Sequence, residues 1–221
     1  MLRTTRILLF TLCGFFAVET LIFDTDFYAA MINPDSSTGY LEERLRNEIK
    51  RNVTDRRQVL TIGDSRMGFY PKVANEMKPG TGYTYASIAT AGTTARCWYY
   101  MLRSVDPTAR RYAAIVIGMN DYEDAETWAN NADYITDLRY LIARLRWSDL
   151  VEFSTSFQDP ALKWQAARGI LLKGLVYQTD VQDFLRNPSA RLRFAKQADR
   201  DSKDWYYLNY AQNDPRSAWF V

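Results

Sequence analysis

Three apolar runs with the character of buried strands organise the middle of the chain. They cover residues 59–62, 83–88 and 112–117, and each ends in small or polar residues before a stretch of helical character. Strands joined through short connections of this kind run parallel, with right-handed crossovers. The pattern therefore predicts an α/β fold over residues 57–122, a flavodoxin-like three-layer unit with a parallel sheet of about three strands.

A longer apolar run lies near the N-terminus. Residues 7–23 are apolar apart from Glu19, and as a helix they would extend for about 25 Å. Arginines precede this run and aspartates follow it, so the positive-inside rule places the N-terminus in the cytoplasm. The pattern favours an uncleaved signal anchor, a single-pass transmembrane helix with the main domain outside the cytoplasm, in a periplasm-like compartment. A cleaved signal peptide and a buried core helix are the alternatives.

Helical patterns flank the predicted sheet on both sides. Charges alternate over residues 41–51 while Leu41, Leu45 and Ile49 share one face, which predicts a short amphipathic helix with a solvated opposite face. An aspartate or asparagine followed by proline has the pattern of a helix N-cap with proline at the first helical position. This signal predicts helices at about 160–176 and about 188–203, and the apolar positions 134, 138, 141, 142 and 145, which share one helical face, predict another at 134–145.

These patterns divide the chain into four parts. They are a cytoplasmic tip and anchor (1–23), a connector with the amphipathic helix (24–56), the α/β core (57–122), and a helical insertion or incomplete C-terminal part (123–221). No strong fourth or fifth strand follows the core, and residues 218–221 form an apolar run. A half-built sheet would leave an unpaired edge. We therefore expect an N-terminal fragment of a longer protein, with a complete but catalytically silent chain as the alternative.

Candidate chemistry begins where the first strand ends, at Gly63-Asp64-Ser65. The carboxyl ends of strands in an open α/β sheet are where such folds bind their ligands. A following helix N-terminus could stabilise a developing negative charge there. Ser65 is accordingly a candidate nucleophile. The alternative is an ordinary turn between strand and helix, with Asp64 or Ser65 as the N-cap.

Two further clusters follow the other predicted strands: Gly92, within Thr90-Ala91-Gly92-Thr93, and Gly118-Met119-Asn120-Asp121. Together with Gly63-Asp64-Ser65, the ordered set resembles three sequence blocks of the SGNH (GDSL-type) hydrolase superfamily over about residues 57–122. The resemblance implies ester hydrolysis or acyl transfer, on a carbohydrate or lipid ester, with Ser65 as nucleophile. It also implies an oxyanion hole formed by the backbone N–H groups of Ser65 and Gly92 and the side-chain amide of Asn120.

The remaining residues of these blocks are expected to shape the site. Gly63 and Gly118 would allow close approach of the backbone. Asp64 is expected to fix the turn, and Arg66 to form a salt bridge at the end of the sheet rather than to meet an anionic substrate group. Asp121 could orient the neighbouring amide or cap the next helix.

One departure from the family is severe, because the chain contains no histidine. The family's fourth block, D-x-x-H, supplies the general base through its histidine, and a serine hydroxyl is a poor nucleophile without a base. We therefore expect little activity from these residues alone. A catalytically silent binding or scaffold module of the cell envelope is the alternative function, and a tethered helical interaction protein with a chance motif is a weaker one.

Composition limits the remaining possibilities. Hydrophobic residues make up 47% of the chain and charged residues 24%, which is typical of a globular protein. A net charge of +2 with dispersed arginines does not favour a nucleic-acid partner. Of the two cysteines, Cys13 lies in the apolar segment, and Cys97 is expected to be a small packed residue. No cofactor and no metal site are predicted, since zinc sites need clustered cysteines and histidines.

Overall fold

A three-stranded parallel sheet lies at the centre of the part of the chain that the computed structural model describes, which is residues 2–51, 57–68, 70, 73–74, 82–119, 129–131 and 134–193. The strands are β1 (Gln58–Gly63), β2 (Thr84–Ser87) and β3 (Ala114–Gly118), in the order β2-β1-β3. The predicted strands and their parallel direction are confirmed. The complete flavodoxin-like arrangement stays a prediction.

The central strand is buried along its whole length because it pairs on both sides. Leu60 aligns with Ala86 of β2 and with Ile115 of β3, and every residue of β1 is buried. A strand that is covered on both faces reads as a continuous apolar run, which is why β1 was visible in the sequence. On β3, by contrast, Ile117 is exposed.

Helices surround this sheet. They are α1 (Leu2–Phe23), α2 (Asp26–Ala29), α3 (Ser37–Lys50), α4 (Ala95–Val105), α5 (Thr136–Leu141), α6 (Leu150–Thr155), α7 (Pro160–Leu171), α8 (Lys173–Val176) and α9 (Gln178–Arg186). Two 3₁₀ turns, Ser65–Gly68 and Trp147–Asp149, complete the described elements, and residues 188–193 are also helical. The structure therefore has the α/β class that the sequence predicted.

The amphipathic helix α3 is present, but its polar side is not fully solvated. Leu41 and Leu45 are buried as expected, and the side chain of Ser36 caps the helix by accepting from Gly39 N. Glu42 is also buried, where it accepts from Nε and Nη2 of Arg144, each at 2.6 Å. The prediction of a solvated face was wrong here because a partner distant in sequence covers the carboxylate.

The helix predicted over about 160–176 is interrupted. Asp159 caps its start by accepting from Ala161 N at 2.7 Å, as the sequence indicated. The helix ends at Leu171, however, and Leu172 has φ −133° and ψ 71°, which is not a helical conformation. The break directs Lys173 into the interior, where Nζ donates to the carbonyl oxygen of Leu145 at 2.6 Å. The prediction of one continuous helix over about 160–176 was therefore wrong.

The apolar face predicted over 134–145 is only partly helical. Helix α5 ends at Leu141, and turns follow over residues 142–144. Leu138, Leu141, Ile142 and Leu145 are all buried, whereas Tyr134 is exposed. The buried positions were predicted well, because burial of these leucines and isoleucine does not require that the helix continue.

One hydrophobic core joins the elements from α2 onward, and the end of α1 packs against it. Tyr28 and Ile32, in the segment predicted as a connector, belong to this core, and Ile22 and Phe23 of α1 contact it. Residues Arg3–Phe23 form a helix that is long and apolar enough to cross a membrane. Most of its apolar side chains before Phe16 are exposed, as a lipid-facing helix requires.

Candidate active site

The carboxyl ends of all three strands meet at one edge of the sheet. Gly63 of β1 aligns with Gly118 of β3 in the parallel register. From the other side, Thr90 N donates to the carbonyl oxygen of Gly63 at 3.1 Å. The clusters that begin at Gly63 and at Thr90, and the first residue of the cluster that begins at Gly118, therefore lie next to one another at this edge.

Ser65 follows this edge directly, at the first position of the 3₁₀ turn, and is exposed. The turn is fixed by Asp64, whose Oδ1 accepts from Arg66 N at 2.9 Å and whose Oδ2 accepts from Arg66 Nε at 2.9 Å. The contacts that we expected of Asp64 and Arg66 are thus present. They leave the carboxylate of Asp64 engaged by a guanidinium, so it is poorly placed to act as a base for Ser65.

The glycines at this edge leave room for one side chain, that of Met67. A Cβ at Gly118 would lie 2.3 Å from both Cγ and Sδ of Met67. At Gly63 it would lie 2.6 Å from Met67 Cγ and 2.9 Å from the carbonyl oxygen of Gly118, and φ there is +152°, a conformation that favours glycine. Close packing around Met67 therefore accounts for both glycines without reference to catalysis.

The side chains of Thr93 and Trp98 hold the loop after β2 in place by hydrogen bonds. Thr93 Oγ1, which is fully buried, lies 2.7 Å from the carbonyl oxygen of Thr90 and 3.2 Å from that of Gly63. It also accepts from Trp98 Nε1 at 2.9 Å. Gly92 has φ +71°, in the left-handed region. Glycine adopts this conformation without steric cost because it has no Cβ, so the turn favours glycine at this position.

Tyr140 closes the loop from the side of α5. Its hydroxyl donates to the carbonyl oxygen of Ala91 at 2.6 Å. Burial raises the pKa of Tyr140, so the hydroxyl stays protonated and remains a donor. The segment that carries Gly92 is thus anchored to a helix that comes later in the chain.

Asn120 and Asp121 lie outside the described residues. Their predicted roles in an oxyanion hole and in orienting the amide stay predictions, as does the nucleophilic role of Ser65. The structure brings Gly63, Ser65, Gly118 and the loop around Gly92 to one edge. It describes the third cluster only as far as Met119.

A buried carboxylate that sequence reasoning missed supports the Gly92 loop. Asp137 is fully buried, and it accepts from Thr94 Oγ1 at 2.9 Å, from Asn130 Nδ2 at 2.8 Å and from the guanidinium of Arg96. Cys97 Sγ lies 3.3 Å from the same carboxylate, and burial raises the pKa of this thiol. Cys97 is therefore a packed residue, as expected. No local signal marks Asp137, because its partners lie 7 to 43 positions away.

The described residues offer Ser65 no base. Its side chain makes no hydrogen bond to any other described residue, and the whole sequence contains no histidine. Within the same described ranges, no group of three or more cysteine, aspartate or glutamate side chains is placed to hold a metal ion. The arrangement offers an exposed hydroxyl and a tightly turned backbone.

Comparison of the chain with protein-family models, with curated proteins and with solved structures gives no match. The resemblance to the SGNH superfamily therefore depends on the quoted residues and on their positions in the fold.

Proposed function

We propose that this chain is a membrane-anchored, extracytoplasmic protein of SGNH type with a serine ester site at Ser65. The observation that carries the proposal is the meeting of Gly63, Gly118 and the loop around Gly92 at one sheet edge, with exposed Ser65 directly after it. Helix α1 supports the anchored location by its length and apolar composition. The flanking charges favour a cytoplasmic N-terminus.

The chemistry proposed is transfer of an acyl group from a carbohydrate or lipid ester. Ser65 Oγ loses its proton to a base and attacks the acyl carbon, and the carbonyl oxygen becomes an oxyanion. Backbone N–H groups of Ser65 and Gly92 and the amide of Asn120 would donate to that oxyanion, and each such donor is worth about 3 kcal/mol. The ester's alcohol leaves with a proton, and the acyl-serine is then attacked by water in a hydrolase or by a second hydroxyl in a transferase.

The base is the missing part of this mechanism. General-base catalysis contributes about 10²–10⁴-fold to such reactions, so its loss leaves only the oxyanion donors and binding. Asp64 is held by Arg66, and the sequence contains no histidine. We therefore propose that these 221 residues turn over esters slowly unless a base is supplied.

The experiment uses added imidazole as a substitute base. The full chain in detergent is assayed on a small nitrophenyl ester with increasing imidazole, and Ser65→Ala is assayed at every concentration to subtract the reaction of imidazole itself. Ser104→Ala is the matched control, because Ser104 lies on α4 and donates to the carbonyl oxygen of Tyr100 within that helix. We expect imidazole-dependent turnover in the wild type and in Ser104→Ala that is absent from Ser65→Ala.

The alternative function is a silent SGNH-like module that binds an acylated glycan without cleaving it, and the lack of any histidine favours it. That function predicts no Ser65-dependent turnover at any imidazole concentration. Brisk Ser65-dependent hydrolysis without imidazole would contradict the silent module and the proposed need for an added base, because it requires a base within the chain.

A further inference from the structure

The last turns of α1 pack against the domain rather than standing clear of it. The ring of Phe16 meets Trp147 edge to face, with 6.3 Å between centroids. Glu19 Oε1 accepts from Gly174 N at 3.0 Å, and Phe23 packs against the core. Positions 16, 19 and 23 share one helix face. The domain therefore reaches back along α1 from its end at residue 23 to residue 16.

The length of α1 fixes where the bilayer can lie relative to this contact. Phe16 precedes Phe23 by seven residues, or about 10 Å of helix. If the bilayer ended before Phe16, the apolar residues 7–15 would span only about 14 Å, against a hydrocarbon thickness of about 30 Å. The whole of residues 7–23 is needed to cross, so the domain surface next to Phe16 lies about 10 Å inside the outer end of the span, which is the depth to which interfacial apolar groups are buried.

Four apolar side chains are exposed on elements that contact this part of α1 or directly follow one that does. They are Phe27 (63% exposed), Trp147 (45%), Val151 (70%) and Leu175 (53%). Trp147 contacts Phe16, and Val151 lies one helical turn after Trp147. Leu175 follows Gly174, whose N–H donates to Glu19, and Phe27 lies on the short helix α2 after α1. We call these four residues the rim.

Charges beside the rim are paired. Lys173 Nζ lies 2.6 Å from Asp24 Oδ1, and both side chains are largely removed from solvent. Nη2 of Arg146, the residue before Trp147, lies 3.4 Å from Asp26 Oδ1. An apolar surface with a tryptophan and with neutralised charges fits the interface between headgroups and acyl chains, where tryptophan is enriched.

We infer that the rim is seated at the boundary between the headgroups and the acyl chains of the bilayer that α1 crosses, so that the surface of the domain contacts the membrane. The partner is the lipid surface. The inference rests on the proposed membrane insertion of α1 and is independent of the proposed serine chemistry. In this arrangement the anchor fixes the orientation of the domain as well as its location.

The test places a polarity-sensitive NBD fluorophore on single cysteines of the full chain in nanodiscs of phosphatidylethanolamine and phosphatidylglycerol. Val151→Cys reports the rim, in a Cys13→Ser background. Cys97 stays unlabelled because it is fully buried. Native Cys13, which is exposed on α1, is labelled in a separate sample to report insertion.

Thr108→Cys is the matched control, since Thr108 is also exposed and is not part of the rim. It is three residues before Arg111, whose guanidinium donates to the carbonyl oxygen of Arg51 at 2.7 Å, beyond the last residue of α3.

We expect the fluorophore at position 151 to emit at shorter wavelength than the one at position 108. Nitroxide-labelled lipid should quench it at least about twofold more strongly, as burial at the boundary between headgroups and acyl chains requires. Strong quenching at Cys13 with equal, weak quenching at 151 and 108 would overturn the inference, because the domain would then stand clear of the bilayer. A short-wavelength but unquenched signal at 151 would also overturn it, in favour of a protein partner or a second copy. Absence of quenching at Cys13 would overturn it together with the membrane insertion, and would leave the Ser65 chemistry open to its own assay.

Discussion

Asp137→Asn is the substitution for which the structure gives the clearest expectation. The change keeps the size and shape of the side chain but removes its charge and replaces one acceptor oxygen with a donor. Asp137 accepts from Thr94, Asn130 and Arg96 in a fully buried position. The substitution therefore leaves a partly buried guanidinium without its counter-charge and brings donor against donor.

The size of the effect follows from what Arg96 keeps. Removing one member of a buried ion pair costs about 3–5 kcal/mol. Arg96 retains hydrogen bonds from Nε to Ser156 Oγ at 2.7 Å and from Nη2 to Ser156 O at 3.0 Å, and its guanidinium lies 3.8 Å from the ring centroid of Phe157. These contacts favour the lower end, about 3 kcal/mol, which corresponds to a fall in Tm of about 6–12 °C for a domain of this size.

The assay is thermal unfolding of the full chain in detergent, followed by circular dichroism, with urea unfolding for the free energy. Asp26→Asn is the matched control, because Asp26 also faces an arginine but is largely exposed, and exposed pairs contribute about 0–1 kcal/mol. Adding Arg96→Met to Asp137→Asn should recover part of the loss, since the unpaired charge is then removed. If Asp137→Asn changed the stability no more than Asp26→Asn, the buried network would not hold the Gly92 loop as described.

Three further predictions follow from the described contacts. Burial lowers the pKa of Lys173 from its ordinary value of 10.5, so between the folded-state pKa and 10.5 the unfolded chain binds more protons than the folded chain. The urea midpoint of the wild type, relative to that of Lys173→Met, should therefore rise with pH through that window, and a fall would refute the lowered pKa. Gly118→Ala should destabilise the protein by displacing the flexible Met67 side chain, and thermal unfolding should show that adding Met67→Ala restores part of the lost stability. The stability lost in Gly63→Ala should not be restored by Met67→Ala, because a Cβ at Gly63 also meets the carbonyl oxygen of Gly118. Finally, the protein should stay with membranes through a carbonate wash; its release, or recovery of a species starting after residue 23, would favour a cleaved signal.

The sheet could be predicted from sequence because its signals are local. The continuous apolar run of β1 reflects pairing on both sides, and the glycines that end β1 and β3 mark the close packing around Met67. The capping of α7 by Asp159 was equally visible, since the side chain bonds to an amide two residues away. Patterns of this kind need only neighbouring residues.

What the sequence could not give are contacts between distant segments. Burial of Glu42 depends on Arg144, about a hundred residues later, and the break before Lys173 places its ammonium beside Asp24. The partners of Asp137 are Thr94 just before α4, Arg96 within α4, and Asn130. A lone charged residue in a polar stretch reads as solvated unless its partner is known, so these buried groups were missed.

The central claim is that Ser65 and Asn120 belong to one oxyanion-stabilising site, and the distance between them in a crystal structure of the full chain tests it most directly. We predict that Asn120 Nδ2 lies within two hydrogen-bond lengths, about 6 Å, of Ser65 Oγ, on the same edge of the sheet as Gly92. An Asn120 amide that lies farther away, or that points away from this edge, would contradict the account and remove the ester chemistry proposed for Ser65.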